Sequence, residues 1–185
     1  MMQEQTLLEG NKVIIHRNGH TEEHVFSTDE EARKRYLFIT EALTWVGTPF
    51  QDCADIKGKN GAVDCAMLLV RSAVDTGLLS PFDPRPYAPR WHLHRSEEKF
   101  INIIKDDLGA EEVIAPKLGD VVVWQFGRTF SHGAIIVNNE EVVHAYYAAG
   151  LCLISRLDED VLRFVSVGNT NFSRPVKYFD LWSKG

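Results

Sequence analysis

Long apolar runs are missing from this chain. Nowhere do the roughly eighteen consecutive apolar residues of a membrane-crossing helix occur, and the opening MMQEQTLLEGNK lacks the cationic start and apolar stretch of a secretory leader. The expectation is a protein without signal peptide or membrane partner, cytoplasmic as synthesised. Basic charge is also short: 20 Lys and Arg face 26 Asp and Glu, for a formal net charge of −6. With no excess of cations to release counterions from a phosphate backbone, nucleic acid is not expected as a partner. Cysteine is scarce. Cys53, Cys65 and Cys152 are odd in number and far apart, which fits neither a disulfide framework nor a zinc knuckle. What remains, 185 residues with 44% hydrophobic and 25% charged, suffices for one globular domain with its own core.

Near the start, KVIIHRNGHTEEHVF places Asn18-Gly19 between strand-like residues. Asn-Gly tolerates positive φ at both central positions of a tight turn, so the stretch predicts a β-hairpin. His16, His20 and His24 would form a metal-binding face on a helix, but the turn between them favours exposed hairpin histidines. Ser27 and Glu30 have the spacing of a capping box ahead of a helix over about 28–46, stopped by Gly47 and Pro49. A second helix, apolar on nearly every side and hence buried, begins at Asp64-Cys65 and ends at Gly77. PFDPRPYAP is too rich in proline for a helix or a central strand and reads as an extended crossing. A third helix is expected over about Ser96–Leu108. From Val113 onward the runs DVVVWQF, HGAIIV, EVVHAYY, LCLISRL, FVSVG and VKYFDLW, set apart by turn residues, predict an antiparallel sheet. Helices first and strands second make an α+β chain.

A cysteine in an apolar helix is usually a small buried hydrophobe. Cys65, however, occupies a first helical turn, where unsatisfied amides and the helix dipole favour a thiolate. A cysteine nucleophile needs a base, and the base needs an orienting group. His132 and His144 are the candidates. If the loop between their strands is Asn138–Glu140, Ala134 faces His144 and His132 faces Tyr146, which puts the two imidazoles on one sheet face about 7 to 8 Å apart at the backbone. A two-residue loop would put them on opposite faces.

Four blocks, ALTWVGTPF (42–50), VDCAMLLVRSAVDTGLL (63–79), KLGDVVVW (117–124) and SHGAIIVNNEEVVHAYY (131–147), resemble in order and spacing the NlpC-type (NlpC/p-sixty) cysteine peptidases, papain-like enzymes that cut the peptide stems of bacterial cell wall. The resemblance covers about residue 30 to the end. It implies a papain-like core, with N-terminal helices packed on a C-terminal antiparallel β-sheet, in a single catalytic domain over 1–185: peptidase core 28–185, hairpin extension 1–27. It also implies Cys65 as nucleophile, His132 as general base and acid, His144 as polar third member, and a peptidoglycan stem peptide as substrate, without metal or organic cofactor. Family members that recognise a free N-terminal alanine use a serine, a tyrosine and an aspartate around its amine. Here Ala66-Met67 and Phe50 replace the usual residues and only Asp64 remains, which leaves Asp64 and Phe50 as candidate substrate-binding residues and the family's usual D-glutamate to diamino acid bond as the expected site of cleavage.

PFDPRPYAPRWHLHRSEEKF resembles a segment of family members linked to bacteriophage tails and prophages, which implies possible phage tail partners and a virion-borne or released location. Trp91 and His92 there are candidate groove residues, and His92 with His94 forms an H-x-H pair that could alternatively hold a metal. Arg90, Arg95 and Arg128 could meet substrate carboxylates, though surface charge is the plainer reading. Cys152 is expected to be buried, Cys53 to be an exposed bystander, and Trp45 and Trp124 to be core or cleft-wall aromatics. Two rival functions use the same residues: a thiol acyltransferase or thioesterase acting on lipid, and a catalytically silent binding component.

Overall fold

The computed structural model describes residues 5–87 and 98–183. The chain opens with three antiparallel strands, β1 (Gln5–Glu9), β2 (Lys12–Arg17) and β3 (His20–Val25). The expected hairpin is β2–β3, turning through Asn18 and Gly19 at φ 49° and 82°. The sequence reading missed β1, which pairs with the other edge of β2. Val13 and Ile15 of β2 join the main core, so these strands pack onto the body of the protein.

Helix α1 spans Asp29–Leu43. Its capping box lies one residue later than the sequence suggested: Thr28 Oγ1 accepts from Glu31 N at 3.0 Å, and Glu31 Oε2 accepts from Ser27 N at 3.2 Å. Glu30 instead faces solvent beside Arg33. The shift turns Glu31 inward, where Glu31 Oε1 accepts from Arg35 Nε. Fully buried Arg35 also donates to Leu118 O and Asp120 Oδ1, both at 2.7 Å, and to Asp180 Oδ1 at 2.8 Å. One guanidinium thus ties α1 to two distant parts of the sheet.

A short ribbon, β4 (Asp55–Ile56) with β5 (Ala62–Val63), leads into helix α2 (Cys65–Val74). Met67, Leu68, Leu69, Val70 and Ala73 are all buried, at about 1.5–3 kcal/mol of stabilisation for each large side chain. The expected third helix is instead a short α3 (Lys99–Asn102) that widens into a π-helical turn over Ile103–Asp107. Leu108 N donates to Ile103 O, five residues back, and the wider turn keeps Ile103, Ile104 and Leu108 all inside. The proposed start of that helix, Ser96, lies outside the described residues.

The main sheet comprises β6 (Glu111–Val113), β7 (Val121–Phe126), β8 (Thr129–Ile136), β9 (Glu141–Tyr146), β10 (Leu151–Arg156) and β13 (Val176–Asp180), in the order β10-β9-β8-β7-β13-β6. Every pairing is antiparallel. Between β10 and β13 the chain forms a short α4 (Asp160–Arg163) and a separate ribbon, β11 (Phe164–Val167) with β12 (Thr170–Ser173). FVSVG therefore lies outside the sheet it was expected to join. Helices α1 and α2 cover one face of the sheet, where the larger core lies. On the other face Val122, Trp124, Ala134, Ile136, Val142 and Leu162 of α4 form a smaller core. No helix among the described residues is long and apolar enough to cross a membrane.

Candidate active site

Asp64 begins the site. Its backbone is extended and its Oδ1 accepts from Met67 N at 2.8 Å, the bond of an N-cap. Oδ2 accepts from Cys53 N and from the Tyr87 hydroxyl, each at 2.7 Å. The carboxylate offered by the sequence as a substrate contact is thus buried and already holds three donors. Burial pushes its pKa up, against the pull of those hydrogen bonds. Cys53 corrects the expectation of an exposed bystander: its amide serves Asp64, its Sγ donates to Tyr87 O at 3.2 Å, and its φ is +60°. Arg85 fastens the same segments, donating to Cys53 O at 2.8 Å and pairing with Asp55 at 3.1 Å.

With the cap set, Cys65 is the first residue of α2. It is half-buried, a free thiol whose Sγ lies 3.7 Å from Ser131 O. Burial pushes the thiol pKa up and the Asp64 charge adds to the rise, while the backbone amides of Gly133, Cys65 and Ala66 pull it down. The resting thiol therefore keeps its proton until a base takes it. Gly133 matters sterically as well. A Cβ there would stand 2.4 Å from Phe100 Cζ, so only glycine lets the Phe100 ring lie against β8 beside His132.

His132 and His144 meet as the register demands. Ile135 pairs with Val143 and Ile136 with Val142, the alignment expected of a three-residue loop. His132 Nε2 lies 2.8 Å from His144 Nδ1, and His144 Nε2 lies 3.0 Å from Ser155 Oγ on β10. His144 is completely buried, which lowers its pKa to about 4 and keeps it neutral. A neutral His144 carries one N–H. When that N–H points to Ser155, Nδ1 of His144 accepts from His132 Nε2, and proton exchange with the thiol falls to His132 Nδ1. Aromatic rings hold the pair: Trp124 stacks on His132 at 5.9 Å, Phe126 meets it edge-on at 5.1 Å, and Tyr146 stacks on His144 at 5.3 Å.

Cys65 and His132 open on one cleft of about 270 Å³ at the end of the sheet, walled by Phe50, Tyr87, Phe100, Phe126, Tyr146 and Tyr147, with Asp52 and Asp64 as its carboxylates. Phe50 stands in the wall edge-on to Tyr147 at 5.8 Å. Trp91 and His92, with Arg90, His94 and Arg95, lie outside the described residues; Arg128 is exposed. Cys152 and Trp45 are buried in the core.

Sequence reasoning missed Ser155 and Tyr87. Ser155 sits in an alternating strand with nothing to distinguish it from a surface serine. Tyr87 carried a faint signal: an aromatic hydroxyl in a proline-rich crossing needs a partner if the ring is buried.

No family model matches the sequence, and no curated protein is similar to it. Among solved structures, the fold is similar to that of NlpC1 from Trichomonas vaginalis, with a TM-score of 0.51 and 12% identity, over 93% of this chain. This chain spans 55% of that protein's length. The likeness is one of fold: an NlpC-like arrangement of helices on an antiparallel sheet.

Proposed function

We propose that the protein is a cysteine peptidase that hydrolyses an amide bond in peptidoglycan stem peptides, with the bond between D-glutamate and the diamino acid as its leading site. The observation that carries the reading is the opening of Cys65, at the start of a buried helix, and of His132, backed by His144 and Ser155, on one cleft. In the reaction His132 Nδ1 takes the thiol proton and the Cys65 sulfur attacks the amide carbonyl. The amides of Cys65 and Ala66, which have no carbonyl four residues back within the helix, point their donors at the developing oxyanion. His132 returns the proton to the leaving amine, the C–N bond breaks, and a thioester remains. Water, deprotonated by His132, then releases the acid and restores the thiol.

One observation favours a second reading. The cleft wall is mostly aromatic, with Phe50, Phe100, Phe126, Tyr146 and Tyr147 around the sulfur, and such a wall suits an acyl chain as well as a peptide. Cys–His acyl transfer or thioester hydrolysis on lipid would use the same first step.

The deciding experiment is mass spectrometry of purified muropeptides and, in parallel, of a long-chain acyl thioester, each incubated with wild type and with Cys65→Ser. Muropeptide cleavage by wild type alone supports the peptidase and identifies its bond. Turnover confined to the thioester moves the assignment to the lipid reading. No turnover of either, with Cys65 alkylated readily by iodoacetamide, leaves a binding component.

A further inference from the structure

A second cavity, of about 450 Å³, lies on the sheet face away from α1 and α2, between the sheet and the α4–β11–β12 excursion. Its walls include Trp124, Phe164 and Tyr178, and three arginines reach it: Arg156, Arg163 and Arg174. Arg156 is spoken for, bridging Glu140 at 3.0 Å and Asp158 at 2.9 Å at the exposed rim. The other two differ. Among the described residues neither Arg163 nor Arg174 has a carboxylate within ion-pair distance, and exposed Arg163 acts on Asp158 only through its longer-range field. Arg174 donates to Gln125 O at 3.0 Å, Phe164 O at 2.9 Å and Val161 O at 3.5 Å, lies 3.8 Å over the Phe126 ring, and has a buried Nε with no hydrogen-bond partner among the described residues. Arg163 lies 5.1 Å over the Phe164 ring.

A half-buried cation held by neutral carbonyls, with one donor unused, is incompletely compensated. Three arginines against two carboxylates leave the cavity with one surplus positive charge in a chain of net charge −6. That surplus, aromatic walls and a volume within the range of small-molecule sites define a ligand. We propose that this cavity binds a small monocarboxylate with an apolar or aromatic body, its carboxylate on Arg163 and Arg174 and its body against Trp124, Phe164 and Tyr178. A dianion or polyanion is disfavoured because Glu140 and Asp158 stand at the same rim. The site is separate from the Cys65 cleft but adjoins it: Trp124 stacks on His132, and the Phe126 ring contacts both Arg174 and His132.

The test is calorimetric titration of the full chain with phenylacetate, with phenylacetamide as the neutral isostere and inorganic phosphate as the small polar anion. It is repeated on protein whose Cys65 has been blocked with iodoacetamide. Saturable binding of one phenylacetate per chain is expected, unchanged by the block and weakened roughly tenfold or more for phenylacetamide and in Arg163→Gln and Arg174→Gln. Arg174→Gln also loses bonds to three segments, so Arg163→Gln, whose guanidinium makes no hydrogen bond among the described residues, decides if the first fails to fold. Any of four results overturns the proposal: no saturable binding, equal affinity for the amide or for phosphate, unchanged affinity in Arg163→Gln, or loss of binding on blocking Cys65. None of these readouts depends on a peptidase activity.

Discussion

Two buried polar networks organise this protein, and they are built on opposite plans. Around Arg35, one guanidinium is enclosed by Glu31, Asp120 and Asp180, and all four side chains are out of solvent. Around His144, the partners are a second imidazole and a serine hydroxyl, and the chain of contacts runs out at the cleft that holds Cys65. The first network is charged and closed; the second centres on a neutral His144 and is open at one end. A closed ionic cluster cannot exchange protons with a substrate, whereas an imidazole relay with one end at a cleft can. Burial alone thus separates neither structure from chemistry. The difference lies in where each network ends.

The comparison breaks most visibly at the thiol. Cys65→Ser should lower turnover by roughly 10⁴-fold or more while shifting the melting temperature little, measured on whichever substrate the wild type accepts. Arg35→Met should do the reverse, leaving three carboxylates buried without their cation. A loss of about 3–5 kcal/mol is expected in urea unfolding, with the folded fraction still alkylated at Cys65 at the wild-type rate.

Acid should pull the two networks in opposite directions. Burial lowers the His144 pKa from 6.5 to about 4, so its contribution to stability is complete above pH 6.5 and is lost as pH falls through about 4. Burial raises Asp120 from 3.8 to about 6 against the pull of Arg35, so its contribution is complete below pH 3.8 and is lost as pH rises through about 6. Each shift corresponds to about 3 kcal/mol. Unfolding measured at pH 7, 5.5 and 4.5 should show His144→Gln losing less stability on acidification than wild type, and Asp120→Asn losing more. Parallel slopes in the two variants would refute the opposition.

Smaller effects sharpen the same contrast. Gly133→Ala forces Phe100 and β8 apart and should cost about 1–3 kcal/mol, with slower alkylation of Cys65 because His132 moves with its strand. Ser155→Ala should cost only about 1 kcal/mol but shift the pH profile of Cys65 alkylation, since His144 loses the partner that fixes its tautomer. A rate change with an unchanged profile would make Ser155 structural only.

Local chemistry explains what could be read in advance. The Asn-Gly turn, the buried character of α2 and the loop that aligns β8 with β9 are each specified by residues close in sequence, and from them the meeting of His132 and His144 follows. Position by position, less local features escaped. The cap moved from Ser27 to Thr28 because Glu31 has a partner, Arg35, whose own partners lie 85 and 145 residues away. β13 pairs between β7 and β6, whose paired residues lie more than fifty positions earlier, which no turn residue announces. Ser155 and Tyr87 are recognisable only by what they touch.

The Tyr87 contact carries a consequence for descent. The oxygen that accepts the Tyr87 hydroxyl belongs to the residue immediately before the thiol, so the number of residues between 65 and 87 is part of the specification of the site, although none of those in the crossing itself reaches the sulfur. Lineages of this protein should therefore resist insertions and deletions along 76–86 and keep Arg85, which ties the crossing to Cys53 and Asp55, while varying at exposed positions such as Ser80 and Pro81.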